Sequence, residues 1–472
     1  MNPASDATLR SSLHSVANQA ADFLASLATR RVCGAATAEE MIRVLDRPLP
    51  EHSSPAELVI RELVNDVEGG LVASAGPRFF GFVVGGATPA SLMADWLTSV
   101  WDQNAQAYTT SPAAAAAEVI AARWIVELLG LPAQSSVGFV TGCQMANFTA
   151  LATARNAVLE RAGWDLNSRG LFGATPITVF MSDCGHATIR SALNMMGVGS
   201  AQIREIPSDS QGRMHLHTLE AEIRRASGQP MIVSVQAGNV NSGAFESIEA
   251  IAELVRAENA WLHVDGAFGL WAAVSPKLRT HLRGMELADS WATDAHKWLN
   301  VPYDSGIVIV KNPAQHRGLK TNRCAYAGEE SEGRRDGSSW VPENSRRARA
   351  FVVYAVLREL GRPGVQALVE RCCMLARCFA REVTQIPGAQ VLNDVVLNQV
   401  LVRLGSTAVD DGDGLHRAVA AKMQAEGRCW LGTTTWKGHV VLRMSICNWM
   451  TTEDDIAQVL QSLRQALDET TG

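Results

Sequence analysis

The stretch WATDAHKWLN, residues 291–300, sets a single amine, Lys297, between a histidine and a tryptophan. One apolar stretch ends shortly before it and another begins shortly after. Most lysines are surface groups, and a lone one would ordinarily be read so. Its surroundings argue otherwise. From about 136 to 311, short β-rich runs alternate with helix-like stretches: SVGFVTG, ITVFMSD, AQIREIP, MIVSVQAG, WLHVDGAFG, SWATDAHK and GIVIVK. Seven such runs predict an α/β domain with a mostly parallel seven-stranded sheet. In sheets of that kind functional groups gather beyond the carboxyl ends of the strands. The unusual polar residues fall there. Gly142, Cys143 and Gln144 follow the first run, Asp183 and His186 the second, and Asn239 to Ser242 the fourth; Asp265 closes the fifth, and Lys297 lies just past the sixth.

On either side the texture differs. Val16, Ala20, Phe23, Leu24 and Leu27 recur at helical spacing, so residues 1–75 read as a helical segment that packs on another domain or a second subunit. The large α/β domain spans 76–345. It ends in RCAYAGEESEGRRDGSSWVPENS (323–345), a long Gly-, Ser- and charge-rich loop of the kind that forms lids. A smaller C-terminal α/β domain, 346–472, opens on the helix-like RRARAFVVYAVLREL. It carries the strand-like QVLVRL, RCWLGTTTW and HVVLRMSI and closes on a helix at 454–467.

Composition narrows the function. The 472 residues carry a formal net charge of −6, so there is no basic field for nucleic acid. The pair Arg346-Arg347 is expected to be solvated or to bind one anion. The longest apolar stretch, 113–131, is broken by Glu118, Arg123 and Glu127, so no membrane span is expected. Nine cysteines without a C-x-x-C pair, and a start without signal-peptide layout, read as reduced thiols in a cytoplasmic protein. His215 and His217 would make a metal pair on a strand but lack a third partner. DDGDG (410–414) lacks the spacing of a calcium loop, so no metal site is expected.

The chain has no G-x-S-x-G elbow, P-loop or G-x-G-x-x-G fingerprint. TGCQMANFTALATAR reads as a strand, a glycine turn and a helix whose N-terminus favours an anion such as phosphate. An aspartate inside HVDGAFG needs a cationic partner, because an unpaired buried carboxylate is costly. A protonated pyridine nitrogen would serve. Gly266 and Ala267 leave room for a flat ring, His186 has the shape to stack on it, and Lys297 has the amine to form an imine with its aldehyde. Together these features describe pyridoxal 5′-phosphate (PLP).

DAHKW closely resembles the D/N-P-H-K-W segment of the group II PLP-dependent amino-acid decarboxylases, which include aromatic-L-amino-acid, glutamate and diaminobutyrate decarboxylases. HVDGAFG resembles their H-V-D-A-A-Y-G, and SDCGHATIRSALNMMGVG their histidine segment. PRFFGF (77–82), GAF (243–245) and NSRRARA (344–350) match further blocks. The resemblance implies the fold type I, PLP-dependent transferase-like architecture. It implies a homodimer with swapped N-terminal helices and the active site near the subunit interface. It assigns Lys297 as the Schiff-base lysine, with His186 and Asp265 as its catalytic companions. Gly142, Cys143 and Gln144 match the phosphate-loop positions, and Ala267, Asp294 and His296 complete the implied cofactor set.

The implied reaction is decarboxylation of an L-amino acid to its amine and CO₂, and family grounds favour an aromatic substrate. Phe79, Phe80, Trp101 and Tyr108 are candidate pocket aromatics, and Arg78 a candidate for a substrate side-chain carboxylate. The chain also departs from the pattern. The family's mobile-loop tyrosine has no match: Gly337 falls near its place, and Tyr326 is the only tyrosine in that region. NVNS replaces the usual threonine after the fourth strand, and Arg78 replaces an aromatic residue. Oxidative decarboxylation-deamination, transamination, aldol cleavage and a non-catalytic PLP-fold role therefore stay open.

Overall fold

The computed structural model describes residues 6–319, 334–405 and 412–471. All seven runs form strands: β1 (Ser136–Val140), β2 (Thr178–Ser182), β3 (Ile203–Ile206), β4 (Met231–Gln236), β5 (Trp261–Asp265), β6 (Ser290–Asp294) and β7 (Gly306–Val310). They make one sheet in the order β1-β7-β6-β5-β4-β2-β3. Strands β6, β5, β4, β2 and β3 are parallel, and β7 runs antiparallel to both β6 and β1. Burial on both faces explains why the strands read as unbroken apolar runs. Val179, Ile232 and Val308 point into one core, while Phe139, Val233 and Ile307 point into the other. The helix Cys143–Arg161 covers the first face. Pro112–Leu129 and the long helix Ala350–Val383 cover the second. That long helix is kinked at Gly361, which has φ 56°, two residues before Pro363.

The N-terminal part holds helices Asp6–Ser26, Ala38–Leu45 and Ala56–Val67. The C-terminal part holds an antiparallel sheet of β8 (Gln390–Val391), β9 (Gln399–Arg403), β10 (Gly432–Trp436) and β11 (His439–Ser445), in the order β10-β11-β9-β8. The closing helix is Glu453–Thr471. No helix among the described residues is long and apolar enough to cross a membrane.

Three sequence expectations are corrected. His215 is not on a strand but caps the helix Leu216–Arg225. Arg346 is neither solvated nor an open anion site. It is buried against Glu118, and its guanidinium donates to the Ala105 carbonyl at 2.9 Å and the Phe139 carbonyl at 2.7 Å. Arg347 bridges to Asn104 and Arg349 stands at the cap, so the helix starts at Ala350, four residues later than its sequence suggests. Arg347 pairs with Asp95 at 2.7 Å. The Arg346 clamp fixes β1, and therefore the turn that follows it, to the helix beneath. Arg346→Met should cost about 3 kcal/mol in urea unfolding, the low end for a broken buried pair, because Arg335 stays 3.7 Å from Glu118. Adding Glu118→Leu should recover most of the loss by removing the stranded charge.

Candidate active site

The carboxyl ends of β1, β2, β4, β5 and β6 open on a cavity of about 250 Å³. It is lined by Gly142, Cys143, Gln144, His186, Asp265, Ala267, Asp294, His296 and Lys297. These are the nine residues of the expected catalytic and cofactor set, and the fold brings them together from four chain segments.

Asp294 closes β6 and is the hub. Its Oδ1 accepts the Cys143 N–H at 2.6 Å, at the start of a helix whose cap, Gly142, offers no side-chain acceptor. Its Oδ2 lies 3.1 Å from Lys297 Nζ. Burial alone would lower the lysine pKa, but Asp294, with smaller help from Cys143 and Asp265, more than reverses this, and the amine sits above its usual value. His296 accepts the Ser305 N–H through Nδ1 at 3.1 Å, so the neutral ring carries its proton on Nε2, 3.4 Å from Asp294 Oδ1. The Tyr303 ring packs on His296 at a centroid distance of 4.4 Å.

Asp265 ends β5, buried. Its Oδ1 accepts from the Ala267 N–H at 3.3 Å and the Cys143 thiol at 3.5 Å. It forms no ion pair with a lysine or arginine among the described residues, so the charge of a buried carboxylate is left facing the cavity. Burial and the nearby carboxylates push the Cys143 thiol well up, so it is protonated and able to donate. His186 caps the helix Ala187–Met195, and its Nδ1 is 2.8 Å from Thr188 Oγ1. Desolvation, reinforced by the Lys297 and Arg443 charges, holds its pKa below the usual imidazole value despite Asp265.

Several expected residues lie elsewhere. Arg78 is buried, but its guanidinium donates to the Arg30 carbonyl at 3.0 Å, away from the cavity. Phe79 stacks on Trp430 at 4.9 Å, Phe80 is core, Trp101 meets Phe351 edge-on, and Arg334 covers the Tyr108 ring. None lines the cavity. Of the loop 323–345, residues 323–333, Tyr326 included, lie outside the described residues. The rest packs down: Ser338 N–H donates to the Gln106 carbonyl and Tyr108 N–H to Asp336. A Cβ on Gly337 would stand 2.2 Å from the Arg346 guanidinium, so that position serves the clamp.

Other cavity residues went unnoticed in the sequence. Gln236 and Phe268 line it. Arg443, on β11, donates to the Val240 carbonyl at 3.2 Å and is paired with no carboxylate among the described residues. A lone arginine inside the apolar HVVLRMSI was the available signal.

Residues 38–405 match the family model for the pyridoxal-dependent decarboxylase conserved domain. The aromatic-L-amino-acid decarboxylase of Bacillus atrophaeus is 28% identical over 90% of this chain and 88% of its own. The L-2,4-diaminobutyrate decarboxylase of Rhizobium meliloti is 29% identical over 81% of this chain and 76% of its own. The crystal structure of Oryza sativa TDC with PLP and tryptamine shares the fold, with a TM-score of 0.93, 23% identity and 100% of both chains covered. The chain belongs to the pyridoxal-dependent decarboxylase family. It is a PLP-dependent carboxy-lyase acting on an amino acid.

The Asp294–Lys297 contact makes a direct prediction. Asp294→Asn keeps an oxygen for the Cys143 N–H but removes the charge, so burial acts on the amine with far less opposition and its pKa falls. In apoenzyme at pH 8, Lys297 should react faster with an amine-acylating reagent than in the wild type. Its pH–rate curve, read by peptide mass mapping, should move to lower pH. An unmoved curve would mean that the ion pair does not set the amine's basicity.

Proposed function

We propose that this decarboxylase removes the α-carboxyl group of an aromatic L-amino acid, with Lys297 as the covalent anchor of PLP. The observation that carries the reading is the single cavity where a charged lysine, a carboxylate without a cation and a capping histidine meet. The residues suit the cofactor. The N-terminus of the helix Cys143–Arg161 is placed to receive the phosphate. Asp265 is the partner for the ring nitrogen, and Ala267 and His186 are small and flat enough to lie against the ring's faces. When bound, PLP supplies an aldehyde that captures amines and a ring that accepts an electron pair.

The chain's own part is to orient and to move protons. Asp265 would hold a proton at the ring nitrogen by charge pairing. Lys297 would hold the cofactor's aldehyde carbon and, when free of it, would serve in the cavity as an acid, kept charged by Asp294. Loss of the carboxylate as CO₂ leaves its bonding pair with the α-carbon, and Lys297 would be the group that gives that carbon the replacing proton. The aromatic preference rests on the relatives named for such substrates. It is further supported by Tyr303, whose ring packs on His296 at 4.4 Å and which, with Val84, Met93 and Trp449, helps to line an apolar cavity of about 530 Å³.

Incubation with aromatic L-amino acids should release amine and CO₂ in equal amounts, without aldehyde or ammonia. Lys297→Ala should abolish turnover. Borohydride reduction of the wild type should fix the cofactor on the peptide containing Lys297; a label on another lysine would sink the assignment, and aldehyde as the product would make the reaction oxidative.

The protein is further assigned as a homodimer. Leu9, Leu13 and Val16 of the first helix, and Met93, Trp96 and Val100 of the helix Pro89–Trp101, are all exposed on one chain. Exposed apolar surface of that extent marks an interface. All eight described cysteines are free, in keeping with the cytoplasm. Sedimentation should show a dimer, and removal of residues 1–75 should yield monomers or aggregates; a stable, active monomeric wild type would refute this.

A further inference from the structure

We propose that Asn300 is a positioning residue for Lys297, acting through a carboxamide that joins the lysine turn to two distant segments. This rests on Lys297 as the cofactor's anchor. Asn300 is fully buried, with a left-handed backbone at φ 54°. Few residue types adopt that conformation, and asparagine is among those that do.

Its side chain is saturated. Oδ1 accepts the Gly86 N–H at 2.8 Å and the Trp449 N–H at 3.0 Å. Nδ2 donates to the Trp298 carbonyl at 2.9 Å and the Cys447 carbonyl at 3.0 Å. An amide offers two acceptor sites and two donors, and all four are engaged. The backbone joins in: Asn300 O accepts from Thr88 N–H at 3.0 Å, and Asn300 N–H donates to Lys297 O at 3.2 Å.

The turn is pressed from outside as well. A Cβ on Gly85 would stand 2.0 Å from the Lys297 carbonyl oxygen, so the 85–86 backbone is stacked directly on the lysine. Asp294 fixes the amine at the tip of the side chain, whereas Asn300 fixes the backbone at its root. A lysine reaching a cofactor carbon has several rotatable bonds, so a small shift at the root is amplified at the nitrogen. One side chain thus bonds the lysine turn to both of these segments.

Asn300→Gly keeps the left-handed backbone and removes the carboxamide. Asn300→Asp keeps the two accepted bonds and loses the two donated ones. The test compares two probes on apoenzyme: PLP, whose capture on Lys297 is followed by its absorbance band and by borohydride mapping, and pyridoxamine 5′-phosphate, which fills the same cavity but cannot bond the lysine. The expected result is PLP capture slowed by about tenfold or more in Asn300→Gly and by less in Asn300→Asp, with pyridoxamine phosphate affinity within about twofold of the wild type. Equal losses for both probes would make Asn300 a general structural residue, and unchanged PLP capture would remove any role; either overturns the proposal. If Asn300→Gly does not fold, Asn300→Asp decides alone by the same two readings. Wild-type label away from Lys297 would instead overturn the anchor assignment itself.

Discussion

The carboxylate of Asp294 holds the site together. It ends a strand, stops the free N–H of a nineteen-residue helix and neutralises a buried ammonium group. Its own backbone is equally committed. Asp294 N–H donates to the Ala267 carbonyl, and the Asp294 carbonyl accepts from the Trp271 indole at 2.9 Å. The carboxyl ends of β5 and β6 and the turn after β1 are thus referenced to one residue. A buried charge of this kind is costly unless fully satisfied, and here each oxygen meets a donor. Because the amine is charged through the same contact, the arrangement that orders the backbone also decides the protonation of the residue at its centre.

The strands and the polar residues at their ends were legible because both signals are local. An apolar run of five residues between turn signals carries its own evidence, and a parallel sheet sends its functional groups to one edge. What the sequence did not disclose depends on partners far away in the chain. Arg346 looks like any surface arginine until Glu118, more than two hundred residues earlier, is found beneath it. Asn300 closes the quoted stretch yet takes its meaning from Gly86 and Trp449. The four candidate aromatics do not line the cavity, and three of them meet partners far along the chain: Phe79 stacks on Trp430, Trp101 meets Phe351 and Arg334 covers Tyr108.

The departure at NVNS also has a physical account. Asn239 Oδ1 accepts the N–H groups of Asn241 and Ser242, making a self-contained turn, and Asn239 Nδ2 reaches the Cys184 carbonyl and Gln236 Oε1. Threonine has no second arm for this. The asparagine therefore ties the end of β4 to the segment before His186. Arg443 leans on the same turn from the C-terminal sheet, and Thr434 bonds Asn241 at 2.9 Å.

Gly142, Asp294 and Gly306 meet at a pinch. Asp294 pairs with Gly306 across β6 and β7, and a Cβ on Gly306 would lie 2.4 Å from the Gly142 carbonyl carbon. No side chain fits there, so the place where helix, lysine turn and sheet converge has no room to vary. The apolar cavity near Val84, Tyr303 and Trp449 is walled by side chains and lies outside this pinch. A lineage carrying this scaffold can exchange side chains along those walls, while the neck, where backbone meets backbone, stays locked.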